Sequence, residues 1–280
     1  MQNSKITVIE AKSGLLDLNL KELWRYRDLV VMFVKRDLKS FYKQTILGPL
    51  WIVINPFLST FVFTVIFGIV ANISTEGVPQ FLFFMAGNIM WGLFSRCLNN
   101  SSSTFVGNAG LFGKVYFPRL VMPLSSMIYN FVTFFLQFAA FLILVLVYLI
   151  IGSNLSLNYV ALLMPLLILQ TAFLGTGFGL LISSITAKYR DLKILVSFGL
   201  TLWMYLTPIV YPSSQIPQSL RWLFMLNPVA PIVEAFRYGF LGCGSFEWLY
   251  LLISLAVTLL VLFLGIVVFN RVEKNFIDTV

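Results

Sequence analysis

The sequence has no histidine at all, and only 11% of its 280 residues are charged. Without an imidazole there is no His-ligated metal centre and no Ser-His or Cys-His nucleophile pair. Two cysteines, Cys97 and Cys243, allow at most one disulfide and no metal cluster. Soluble domains carry about a quarter charged residues, so a chain this poor in charge is not a soluble globular protein. The longest gap is a run of 68 residues, 120–187, without Asp, Glu, Lys or Arg. At roughly 20 apolar residues per crossing, that run holds two spans and a turn. What is present agrees: 59% hydrophobic residues, 16% aromatics and a mean hydropathy of +0.91.

Long uncharged runs predict an all-α polytopic membrane protein with six spans, at about 49–71, 80–99, 121–151, 159–187, 194–211 and 248–270. About 48 mostly polar residues precede the first apolar run, so no secretory signal peptide is expected. Residues 1–47 form a basic N-terminal segment ahead of a membrane domain over 48–280. The charge is lopsided by side. Seventeen of the 19 Lys and Arg residues fall before the first span, in the second and fourth loops and in the tail. The opposite side keeps only Arg221 and Arg237. The positive-inside bias places both termini in the cytoplasm, explains the basic pI without nucleic acid, and sets Cys97 and Cys243 on opposite sides, unable to pair.

Several pieces are not plain spans. Residues 20–42 are amphipathic at helical period, with Leu20, Trp24, Val30, Val34, Leu38 and Phe41 on one stripe. Arg25, Lys35, Arg36, Lys39 and Lys43 stand on the other, and Arg27 interrupts the apolar face. Asn19 with Glu22 has capping-box spacing. A basic, tryptophan-bearing amphipathic helix just before a span is predicted to lie in the cytoplasmic interface. Five prolines crowd 208–244 and bound two apolar pieces, 218–226 and 232–241, too short to cross. They read as re-entrant or gate helices on the outer side, over about 213–244. Glu234 and Arg237 are spaced to pair on one of them, either to neutralise a half-buried face or to gate. Gly175 and Gly179 make a small-residue face suited to close helix contact, inside the chain or between copies. The glycine-rich loop 101–119 resembles a phosphate-binding loop only superficially: its spacing is one residue too long and Val115 replaces Ser or Thr. It reads as a docking point for a partner.

No span carries an interior Asp or Glu, and Arg96 approaches one only from an end. Ion-coupled carriers place an ionisable group at the midplane, and channels show a filter or a ring of charge. Glu76, Glu234 and Glu247 are scattered and form no glycosyl-transfer pair. What remains is a transport pathway driven by energy from elsewhere.

Motifs running nearly the length of the chain point the same way. They are Arg36-Asp37-Leu38-Lys39, Leu47-Gly48-Pro49-Leu50-Trp51, Asn108 to Lys114 leading into Phe117-Pro118-Arg119, and Tyr189-Arg190-Asp191-Leu192. Further on stand Leu206-Thr207-Pro208 to Pro212, Leu226-Asn227-Pro228 and Glu234-Ala235-Phe236-Arg237. In their order and spacing the chain resembles the permease subunits of bacterial ABC exporters of O-antigen, capsule and teichoic acid. Phe41 departs from the pattern, since many relatives carry Arg there. The resemblance implies a homodimer in the cytoplasmic membrane, with two separate ATPase subunits beneath that hold the ATP and magnesium. This chain itself then carries no cofactor and is no enzyme. It implies a polyprenyl-diphosphate-linked glycan as cargo, most directly O-antigen. It also implies ATPase coupling through Asn108, Leu111, Phe112 and Lys114, with Arg190 and Asp191 as a second contact. Trp24, Arg25, Arg27, Lys35, Arg36, Lys39 and Lys43 fall on the family's interface helix, at the cytoplasmic entrance, and Glu234 and Arg237 on its outer gate. Trp51, Phe57, Phe61, Phe94 and Tyr129 are candidates for channel-lining surfaces on which sugars stack, the alternative for each being a ring that faces lipid. A drug or lipid exporter permease is the alternative within the class. An integral membrane transferase or scaffold is the alternative outside it.

Overall fold

The computed structural model describes residues 20–43, 46–115, 117–186 and 191–276, and these are helical with no strand among them. The amphipathic segment breaks at Tyr26 into α1 (Leu20–Arg25) and α2 (Arg27–Lys43). Then come α3 (Leu50–Phe63), which continues as a π-helical turn over Thr64–Val70, α4 (Gln80–Ser102) and α5 (Thr104–Phe112). They are followed by α6 (Val121–Ile150), α7 (Met164–Thr186, entered through a 3-10 turn at Tyr159–Leu163) and α8 (Leu192–Leu206). The chain closes with α9 (Gln218–Met225), α10 (Ala230–Leu241) and α11 (Trp248–Phe276). Asn19, the expected helix cap, lies outside the described residues.

Among the described residues, five helices are long and apolar enough to cross a membrane: Leu50–Val70, Gln80–Ser102, Val121–Ile150, Tyr159–Thr186 and Trp248–Val272. The segment expected at 194–211 differs. Its helix stops at Leu206 because Thr207 is extended (φ −100°, ψ 139°) ahead of Pro208, as the residue before a proline prefers. Fifteen helical residues reach only about 22 Å, short of a ~30 Å hydrocarbon core.

In a bilayer, water does not push helices together, so backbones must come close enough for dispersion to hold them. Helix α4 sits at the centre and is buried along most of its length. Against it lies α7, whose Gly175 and Gly179 allow the approach. A Cβ at Gly175 would meet the Phe94 carbonyl at 2.5 Å, and one at Gly179 the Ser101 Cβ at 2.5 Å. The small-residue face is therefore filled inside the chain. The other side of α7 repeats the device on α11: a Cβ at Gly177 would stand 2.9 Å from Leu262 Cα, and one at Gly265 2.6 Å from the Gly177 carbonyl.

At one end of the bundle, called here the basic end, α2 buries Val30, Phe33 and Val34 against Phe117, Val121 and Met122. A chain of rings runs Phe33, Phe117, Phe112, Phe105 and Phe269, with centroid steps of 5.9, 5.6, 6.3 and 4.5 Å. It ties α2, α5 and α11 together.

Candidate functional site: a polar ladder between two ends

The glycine-rich segment expected as a loop is helical over Thr104–Phe112. Phe105 is its anchor, stacked on Phe269. Its opposite face is nearly bare: Val106, Gly107, Gly110 and, just beyond the helix, Gly113 and Lys114 are exposed. Added Cβ atoms at Gly107 and Gly110 would meet nothing within 4 Å, so nothing in the protomer requires those glycines. Each costs a helix roughly 0.5–1 kcal/mol relative to alanine. Asn108 is half-buried and donates to the Thr104 carbonyl at 2.9 Å. Leu111 and Phe112 are half-buried too, and Phe112 packs inward with Arg119 over its ring at 5.4 Å. Phe112 thus belongs to the scaffold under the surface. Asp191 is exposed, and Arg190 lies outside the described residues.

On α1 and α2 the side chains Arg25, Arg27, Lys35, Arg36, Lys39 and Lys43 are exposed. Trp24, 70% exposed, turns outward with the Arg27 guanidinium 5.6 Å from its ring centre. The apolar residue placed on the buried stripe is thus free to enter a bilayer interface. Between α2, α4, α5 and α6 lies a cavity of about 460 Å³, lined by Ser40, Asn100, Ser125, Ser126 and Tyr129 among others. Among the described residues that line it, the one cation and one anion neutralise each other, with Arg36 Nε and Nη2 both 2.8 Å from Asp37 Oδ1.

From this cavity a stripe of small and polar residues climbs α4 at helical spacing: Asn99, Arg96 with Ser95, Gly92, Asn88. Asn88 Nδ2 donates to Ser59 Oγ at 2.6 Å and to the Pro56 carbonyl at 3.2 Å on α3. Asn100 donates to Asn130 at 3.2 Å. Arg96 is no end-of-helix residue: α4 runs on to Ser102, and Arg96 Nη2 donates to Gln137 Oε1 at 3.0 Å. Gln137 Nε2 in turn donates to the Ile52 carbonyl at 2.9 Å. Ionisable groups alone do not mark this ladder, which is built mainly from neutral amides and hydroxyls. Its signal was there, in polar residues recurring every three or four positions within apolar runs.

The aromatic candidates divide. Trp51 is half-buried, Tyr129 is half-buried in the cavity wall, Phe57 pairs with Phe81 at 5.7 Å, and Phe61 is exposed. Phe94 is 0% exposed in the protomer, enclosed by Trp91 and Trp203 at 5.2 and 5.1 Å.

At the far end, α10 and α9 are unlike each other. Helix α9 is a surface helix exposing Leu220, Trp222 and Leu223, whereas α10 is buried throughout most of its length. A Cβ at Gly239 would come within 2.7 Å of the Ala161 amide, and Asn158 donates to the Tyr238 carbonyl at 2.9 Å. Arg237 and Glu234 are 0% and 1% exposed, not half-buried. Arg237 donates to the carbonyls of Pro208 (2.5 Å), Ile209 and Phe83 (3.3 Å) and to Glu234 Oε1 (3.4 Å). Glu234 Oε2 accepts from Ser213 Oγ at 2.7 Å and the Ser245 amide at 3.0 Å. The pair satisfies buried backbone that Pro208 and Pro212 keep from being helical, so those carbonyls do not go unpaired. Asn227 does the same beside it, accepting from Trp203 Nε1 (3.0 Å) and the Val229 amide (3.1 Å) while donating to Thr207 Oγ1 (2.8 Å). Both cysteines are free and buried. Burial pushes the Cys243 thiol up to about 12, against the opposing pull of Arg237.

A family profile described as ABC-2 type transporter matches residues 28–241. The chain is 30% identical over 252 residues to a Klebsiella pneumoniae protein named O-antigen export system permease protein RfbA, covering 90% of this chain and 94% of that one. It is 30% identical over 264 residues to the protein of that name from Myxococcus xanthus, covering 93% and 98%. It is 23% identical to the Escherichia coli polysialic acid transport protein KpsM, over 85% and 91%. The chain belongs to the ABC-2 type transporter family and is a multi-pass protein of the inner membrane.

Proposed function

We propose that this chain is the membrane permease of an ATP-driven exporter moving a polyprenyl-diphosphate-linked polysaccharide, O-antigen before capsule or teichoic acid, across the cytoplasmic membrane. The observation that carries the reading is the end-to-end similarity to O-antigen export permeases. The polar ladder supplies matching chemistry: neutral amides and hydroxyls exchange hydrogen bonds with a sugar chain that must not touch hydrocarbon.

In this reading the basic end is cytoplasmic, as are both termini, because 17 of 19 Lys and Arg residues fall on that side. Helix α8 with the extended residues after it makes the sixth crossing, since extended chain adds up to about 3.3 Å per residue. Helix α9 lies in the outer interface as the gate element, and α10 is the fixed support behind it. Two copies form the conduit, meeting through apolar faces such as Phe198 and Leu202 on α8 and Leu58 and Phe61 on α3, all exposed in the protomer. The bare face of α5 receives a separate ATPase subunit, with glycines that let its backbone come close and Lys114 at the rim. The test is a deletion strain. Lipid-linked glycan of normal composition accumulating on the cytoplasmic side supports export. Normal surface glycan points to the drug or lipid exporter, and altered glycan composition to the transferase.

A further inference from the structure

Among the described residues, Arg237 faces Glu234 and Arg36 faces Asp37. Arg96 has no such counter-charge among them. Its hydrogen-bond partner is the neutral Gln137, its buried Nε has none, and the titratable groups facing it are the Cys97 thiol and the Tyr129 hydroxyl. A cation inside a span is costly, and such groups pair with something or line a path. Space is made for this one: a Cβ at Gly92 would press within 3.0 Å of Nη1. Gln137, braced on the Ile52 carbonyl, fixes the guanidinium's direction. The cavity at the basic end comes up beside it: Asn100, one turn along α4, and Tyr129, whose hydroxyl faces Arg96, are both in the cavity wall. Because Arg36 and Asp37 cancel, the cavity wall itself offers an anion little net attraction.

We propose that Arg96, aimed by Gln137, is a phosphoester-binding site within the polar ladder. A guanidinium presents forked donors that match phosphate oxygens. Neutral amides on either side of it, Asn99 and Asn100 toward the cavity and Asn88 beyond, leave that charge as the fixed point on a pathway otherwise tolerant of sugar identity. This rests on the export reading for its biological ligand, a prenyl diphosphate, whereas the same chemistry on a bilayer lipid headgroup is a second source.

The test is native mass spectrometry of the whole permease–ATPase complex with undecaprenyl diphosphate, undecaprenol and phosphatidylglycerol, using the wild type, Arg96→Gln and Arg96→Lys. Losing one charge-assisted bond set weakens binding by about tenfold or more. The diphosphate is expected to lose that much on Arg96→Gln and to recover most of it on Arg96→Lys, while undecaprenol is unaffected. Phosphatidylglycerol showing the same Arg96 dependence, in place of the diphosphate, assigns the site to a bilayer headgroup. Equal diphosphate binding by wild type and Arg96→Gln, or none by either, overturns the site. Absence of ATP-dependent transport with Arg96-dependent binding intact overturns only the export reading.

Discussion

The Arg237 guanidinium is seated against Gly87 of α4, where an added Cβ would stand 2.6 Å from Nη2. One glycine on the central helix thus makes room for the cation that holds the far-end backbone. Arg237→Met removes that cation and leaves Glu234 buried without it, at a cost of about 3–5 kcal/mol. A large fall in melting temperature of the purified permease is expected, with Gly87→Ala behaving alike. The double variant Arg237→Met/Glu234→Gln should lose less than Arg237→Met alone. Equal losses would mean the two side chains are not coupled.

Gly175→Leu and Gly179→Leu should separate α7 from α4 and abolish accumulation of folded protein. Gly199→Ala on α8, where a Cβ meets nothing within 4 Å, should leave protomer stability unchanged or raise it slightly. Expression level and size-exclusion profile distinguish the two sets.

Gly110→Ala should stabilise α5 by roughly 0.5–1 kcal/mol. Gly110→Leu and Lys114→Glu should leave the permease folded yet reduce co-purification of the ATPase and surface display of glycan. Phe112→Asp is a different case: it opens the aromatic chain at Phe105 and Phe117 and should destabilise the basic end itself. Normal ATPase retention by Gly110→Leu would move the docking surface elsewhere.

For orientation, native thiols give little background, since both are buried and Cys243 is held far above physiological pH. Gln215→Cys at the exposed far end should react with an impermeant maleimide added outside the inner membrane. Lys114→Cys should react only after lysis. The reverse pattern inverts the topology.

Charge poverty and apolar run length mark the five long apolar helices, because a bilayer dictates helix length directly. The short pieces were harder. Proline spacing marks both α9 and α10 as interrupted, but only packing tells them apart: α10 is enclosed through Gly239 and the Asn158 side chain, contacts distant in sequence. The run 104–112 carries two glycines and looks like a loop, yet Phe105 and Phe112, seven residues apart, share one buried helical face. Phe94 has the aromatic character of a sugar platform, and only the positions of Trp91 and Trp203 show it enclosed. Arg96 looks like an end residue until Gln137, 41 positions away, is found holding it. Gly87 and Gly92 give no sign in the sequence that each seats an arginine.

The most direct measurement reconstitutes the permease with its ATPase subunit in sealed vesicles and follows a lipid-linked glycan across the bilayer. The account predicts translocation that requires ATP hydrolysis by the partner and stops when that subunit is omitted. Movement of cargo by the permease alone, driven by an ion gradient with no nucleotide present, would contradict it.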